Sequence, residues 1–287
     1  MRVVRSLAML ALGVILPWRL LLAVLKRLAR RVANQLDVGP DLNPGSRRDL
    51  IARTTLYRMI EEVDLALVNV RGSAWFERWV TREGPPWPDV GPFLVLTFHY
   101  GAGLWSLSDL GCEGRRVAFV HASLPPPPDV RPGFGDHLVQ ARLNAVARLG
   151  NGVTITVGGA ARRAEEWLAG GGVVLGLIDA PHYGRRRSMN VDVMGRTLAF
   201  PSGLVELAIR SSVPIYLYTM GLDGDGPKRL LSVAGPFRPA RAQDLARDLG
   251  VFFSAAVCRD SAAWEFRTIA DQAFPRMPNC AVGVHEH

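Results

Sequence analysis

Short apolar runs separated by stretches with helical spacing dominate the chain from residue 93 onward. Runs at 93–98, 116–121, 153–157, 173–178, 191–193, 213–220 and 230–234 read as strands. The intervening segments at about 135–149, 160–168 and 202–210 place apolar residues on one helical face. This alternation predicts an α/β fold with a central, mostly parallel or mixed sheet flanked by helices. Upstream, Leu50, Ile51, Leu56, Met59, Ile60, Val63 and Leu67 predict a helix over 50–69, capped by Ser46 or Asp49. Residues 40–46 read as a turn and linker, and 83–92 as loop. The one low-complexity tract is Pro125–Pro128, a stiff loop after the second strand.

The amino-terminal pattern is different. Arg2 and Arg5 precede an apolar run from Leu7 to Trp18, and Lys26, Arg27, Arg30 and Arg31 follow a second one. Crossing a bilayer takes about 20 apolar residues, which residues 6–25 reach only by including Pro17 and Arg19. No small-residue cleavage site follows, so a secretory signal peptide is not the reading. The pattern predicts a basic amphipathic helix lying in a membrane interface, with residues 1–39 as that segment and 40–287 as the α/β domain. A buried first helix is the alternative.

Charge supports this division. The 287 residues carry 34 basic and 26 acidic side chains, a net +8, yet residues 1–48 alone hold nine Lys/Arg against two Asp. Nucleic-acid binders spread basic residues over a folded surface; here the excess adjoins apolar sequence and points to anionic lipid, with no nucleic-acid partner. Disorder is excluded by 48% hydrophobic and 21% charged residues with a mean hydropathy of +0.12. Cys112, Cys258 and Cys280 are too scattered for a disulfide scaffold, and with six dispersed histidines they give no metal-ligand spacing. The body of the protein is therefore expected on the cytoplasmic side of a membrane, without a metal.

Two segments carry candidate chemistry. Residues 96–103, Leu-Thr-Phe-His-Tyr-Gly-Ala-Gly, deliver His99 to a strand end ahead of small residues that let a substrate approach the backbone. An imidazole there can act as a general base. Residues 176–188 place Asp179 at another strand end, followed by Arg185, Arg186 and Arg187, whose guanidinium forks suit an anion. Each segment is equally readable as an ordinary turn or a solvated basic loop. There is no G-x-S-x-G elbow, no P-loop and no H-E-x-x-H pair.

In their order, these segments resemble the bacterial lipid A lauroyl/myristoyl acyltransferase family, within the lysophospholipid acyltransferase superfamily, over about residues 15–270. Leu-Pro-Trp-Arg at 16–19 looks like the family's membrane-associated start, and Phe98-His99-Tyr100-Gly101 like its His-Phe-Gly-Asn-Trp-Glu block. Asp179 falls where the family has Asp-Gln at a strand end, residues 189–195 resemble its Val-Phe-Val-Pro-Phe-Phe-Gly, and Trp264-Glu265-Phe266 its Trp-x-Trp. The resemblance implies transfer of a fatty acyl group from an acyl-carrier-protein or acyl-CoA thioester to a hydroxyl or amine of a lipid or glycolipid, at the cytoplasmic face of the bacterial inner membrane and without a cofactor. It implies His99 as general base, substrate contacts from Tyr100 and Gly101, and anion contacts from Arg148 and Arg185–Arg187. Backbone amides near Gly101–Gly103 are expected at the oxyanion, and the segment around Trp75–Trp87 along the acyl chain.

One departure matters. The family motif, His-x-x-x-x-Asp/Glu, places an acid five residues after the histidine, and here that residue is Leu104. Three readings remain open: an acid from elsewhere, with Asp179 ahead of Asp109 and Glu206; a histidine acting alone; or an inactive lipid- or carrier-binding protein of the same fold. Transfer of an aminoacyl or secondary-metabolite acyl group is a further alternative.

Overall fold

The computed structural model describes residues 9, 11–35, 44–112, 114–121, 134–179, 187–270 and 274. It is α/β, with a mostly parallel, mixed seven-stranded sheet flanked by helices. In chain order the elements are α1 (Trp18–Gln35), α2 (Pro44–Val70), the short α3 (Ser73–Glu77), β1 (Val80–Glu83), β2 (Phe93–Thr97), α4 (Leu104–Cys112), β3 (Val117–His121), α5 (Phe134–Leu149), β4 (Val153–Thr156), α6 (Ala160–Ala169), β5 (Val173–Leu177), β6 (Ser188–Val193), β7 (Arg196–Pro201), α7 (Gly203–Arg210), β8 (Ile215–Leu222), β9 (Arg229–Phe237) and α8 (Ala246–Arg259).

The large sheet has the order β1-β9-β8-β2-β5-β3-β4, antiparallel only between β8 and β9. Every residue of β2 is buried, as its unbroken Phe-Leu-Val-Leu-Thr run requires of a strand covered on both faces. Side chains alternate across a strand, so Thr97 and His99 of β2 and its extension share a face with Leu175 and Leu177 of β5 and Phe119 of β3, their register neighbours. Gly176 points to the other face, where an added Cβ would lie 2.3 Å from Leu204 of α7. Right-handed crossovers account for the layers: β2→β3 and β3→β4 run one way along the sheet, and β4→β5 and β5→β8 run back. Helices α4 and α5 therefore cover the face of His99, with α2 across them, while α6 and α7 cover the opposite face.

Two strands escape the sequence pattern. β1 is a partly exposed edge of mostly polar residues, Val-Thr-Arg-Glu, with no apolar alternation to announce it. β7 pairs with β6 in a separate hairpin whose turn places Met194 and Gly195 at φ +53° and +76°, as a type I′ turn requires. Residues 83–92 are loop only after Glu83, and α2 starts at Pro44, so Ser46 and Asp49 lie inside the helix rather than capping it. Helix α1 forms within the expected amphipathic segment. It buries Trp18, Leu21, Leu22, Leu25, Ala29 and Ala33, its stripe packing against α2, so this face is part of the core. Among the described residues no helix is long and apolar enough to cross a membrane. The Pro125–Pro128 tract lies outside the described residues.

Candidate active site

β2 and β5 are parallel neighbours with Thr97 opposite Leu177, and Ile178 N donates to Thr97 O at 2.8 Å. His99 and Asp179 both stand two residues beyond that last pair, so the ladder itself brings them side by side. Asp179 is fully buried and accepts three N–H donors: His99 Nδ1 at 2.9 Å, the His99 backbone amide at 2.9 and 3.0 Å to its two oxygens, and Trp264 Nε1 at 2.9 Å. A carboxylate at Nδ1 fixes that nitrogen as the proton donor and leaves Nε2 as the acceptor, the tautomer of a general base. The ring is 30% exposed, toward a cavity, and Phe266 stands edge-on to it at 4.8 Å.

Burial alone lowers the pKa of His99, but the hydrogen bond and charge of Asp179, aided by Glu265 and Glu61, outweigh it and raise the value above the ordinary 6.5. A pKa raised on folding stabilises the protein below pH 6.5, and that contribution fades as pH rises through the folded value. Catalysis by a neutral base has the opposite dependence, declining as pH falls through the same value.

The carboxyl-terminal segment braces this site from behind. Ala263 O accepts from Gly101 N at 2.8 Å, His99 O accepts from Glu265 N at 2.9 Å, and Trp264 bridges to Tyr100. Gly101 has φ +68°, and a Cβ there would lie 1.9 Å from Met220 O, so only glycine fits. The amides of Gly101 and Ala102 are bonded to Ala263 O and Met220 O, which corrects the oxyanion expectation. Gly103 and Leu104 line the cavity at the start of α4, where the first backbone amides have no partner within the helix.

The cavity holds about 220 Å³. Its exposed polar rim carries His99, Glu61 and Arg142; the buried Asp64 also lines it, and its apolar walls include Leu104, Leu107, Phe119, Val139, Leu143, Val146, Leu175, Leu177 and Tyr218. Residues 139, 143 and 146 line it because they fall on one face of α5. Arg142 lies 3.7 Å from Glu61, whose carboxyl is pushed up by burial against the opposing charge of Arg142. Asp64 is held 2.6 and 2.7 Å from Arg229, a buried guanidinium 3.3 Å over the Trp105 ring.

Several predicted residues stand elsewhere. Arg148 reaches back to Val68 O and Asn69 Oδ1 at 3.1 and 2.7 Å and lines no part of the cavity; Arg142, six residues earlier, does. Tyr100 is among the lining residues, but its hydroxyl donates to Ala256 O at 2.7 Å, and burial raises its pKa. Arg187 pairs with Glu206 at 2.5 Å, and Arg185 and Arg186 lie outside the described residues. Asp109 is bonded to Arg82 and Trp87, not to His99. Trp75, Phe76 and Trp79 cluster with or near Trp105 in the core rather than along the cavity. The residues the sequence reading passed over are Glu61, Asp64, Arg142 and Phe119: they sit amid ordinary helix and strand patterns. Trp264 stood out only through its likeness to Trp-x-Trp.

Among the described residues no group of His, Cys, Asp and Glu could hold a metal ion. No family model matches the chain, and no curated protein matches it.

Proposed function

We propose that the protein is a membrane-docking acyltransferase that moves an acyl group from an acyl-carrier-protein or acyl-CoA thioester to a hydroxyl or amine of a lipid or glycolipid. The observation that carries this reading is the His99–Asp179 pair at the mouth of an apolar slot. Nε2 of His99 takes the proton of the acceptor O–H or N–H as its oxygen or nitrogen attacks the thioester carbonyl carbon. The tetrahedral intermediate collapses with cleavage of the C–S bond, and the imidazolium returns its proton to the departing thiolate. Amides of Gly103 and Leu104 face the oxyanion, and Asp179 takes the role of the acid that Leu104 lacks. Arg142, the cation of the lining, is the contact for a phosphate on either substrate.

The outer face of α1 supports docking to the cytoplasmic face of a bacterial inner membrane. Leu20 and Val24 are exposed there beside Arg27, Arg30 and Arg31, and Val14 and Ile15 are exposed just ahead of the helix. Each arginine near an anionic surface contributes about 1 kcal/mol. Replacing Arg27, Arg30 and Arg31 by glutamine should therefore weaken co-sedimentation with anionic phospholipid vesicles by about a hundredfold. Unchanged partitioning refutes the docking face.

Transfer itself is the test of the enzyme. Purified protein is given acyl-CoA or acyl-carrier-protein thioesters with amine- and hydroxyl-bearing acceptors. Transfer that His99→Ala lowers by about 10² or more supports the reading. Equal behaviour of wild type and variant refutes it and leaves a lipid- or carrier-binding protein.

A further inference from the structure

The slot has a floor, and its position follows from register. Phe119 pairs with Leu175, and Leu175 with Val95. Val95 lies four residues before His99 on its strand, about 13 Å down the sheet, and β3 stands two strand spacings away, about 10 Å to the side. Along α5, antiparallel to the strands, Val139 lies at the mouth level and Val146 about 10 Å deeper. The deep end is thus formed by Val146, Leu107, Leu175 and Phe119. The first three are almost wholly buried. Phe119 is the largest of the four and remains partly uncovered, its ring edging the open space.

A volume of about 220 Å³, against the roughly 150 Å³ of a cavity that binds benzene, suits one short to medium hydrocarbon chain. Apolar walls favour each added methylene until the chain meets the floor, after which a further carbon has no place without displacing a side chain. From this geometry we infer that Phe119 sets the length of the acyl chain that the site accepts. This rests on the acyltransferase reading for its meaning, but the length selection is a property of the slot and is measurable without turnover.

The probes are acyl-pantetheine thioesters from hexanoyl to hexadecanoyl, which carry the portion that both donors share. Their binding to the full-length protein is measured by calorimetry. Wild type should gain about fourfold in affinity per methylene up to a break, then lose affinity. Phe119→Ala should move the break about two to four carbons longer, and Phe119→Trp should move it shorter. If Phe119→Ala fails to fold, as judged by thermal melting, Phe119→Leu carries the test with a smaller shift to longer chains. An unmoved break in the variants, or no binding of any thioester to wild type, overturns the inference. A shifted break in a protein that transfers no acyl group to any acceptor upholds it while refuting the enzyme.

Discussion

Asp179→Asn should reduce kcat/KM for acyl transfer by about 10³–10⁴ while leaving the melting temperature within a few degrees of wild type. The argument is one of donors and acceptors. Three N–H groups converge on the two carboxylate oxygens of Asp179: the His99 amide, His99 Nδ1 and Trp264 Nε1. An asparagine offers one oxygen and an NH2 that must itself donate. Turned toward His99, the NH2 donates to Nδ1 and forces the proton onto Nε2, the nitrogen that must be free to accept. Turned toward Trp264, it sets two donors against each other in a buried site. The variant also loses the charge that raises the His99 pKa, so the acid limb of its residual kcat/KM profile should move to lower pH. A full-activity variant, or an unmoved acid limb, would show that Asp179 is not the partner of the base.

The same pair shows what the sequence made legible. A histidine and an aspartate each closing an apolar run were visible, and so was the alternation that makes those runs neighbouring strands. Strand order was not, yet parallel pairing of β2 with β5 is what turns an eighty-residue separation into a 2.9 Å contact. The departure at Leu104 follows from the same geometry. Leu104 opens α4 and lines the slot with Leu107, so an apolar residue there suits the wall while the carboxylate arrives from the adjacent strand. Arg148 was misplaced because Arg142 and Arg148 look alike in a helical pattern. The six-residue step between them rotates the second away from the cavity and toward the end of α2. β1 stayed hidden because an edge strand partly open to water needs no apolar code.

Least legible of all was Arg229. In Gly-Pro-Lys-Arg it reads as a solvated turn residue, yet its side chain is wholly buried at the start of β9. Its two terminal nitrogens bond the carboxylate of Asp64, one also donates to Ala102 O at 3.2 Å, and the Trp105 and Trp18 rings lie 3.3 and 5.1 Å away. Burial pushes the Asp64 carboxyl up, and the charge of Arg229 opposes that. Removing one partner of such a pair leaves an uncompensated charge in the core. Arg229→Met should therefore cost about 3–5 kcal/mol and lower Tm by roughly 5–15 °C. The double variant Arg229→Met with Asp64→Leu removes both charges and should recover most of that loss. Because Ala102 and Trp105 flank the site's glycine turn and the start of α4, the single variant should also lose activity below its melting range. If its Tm stays within about 2 °C of wild type, the pair does not hold α2, α1 and the site together; if the double variant melts as low as the single, the loss comes from packing against the tryptophans rather than from a stranded charge.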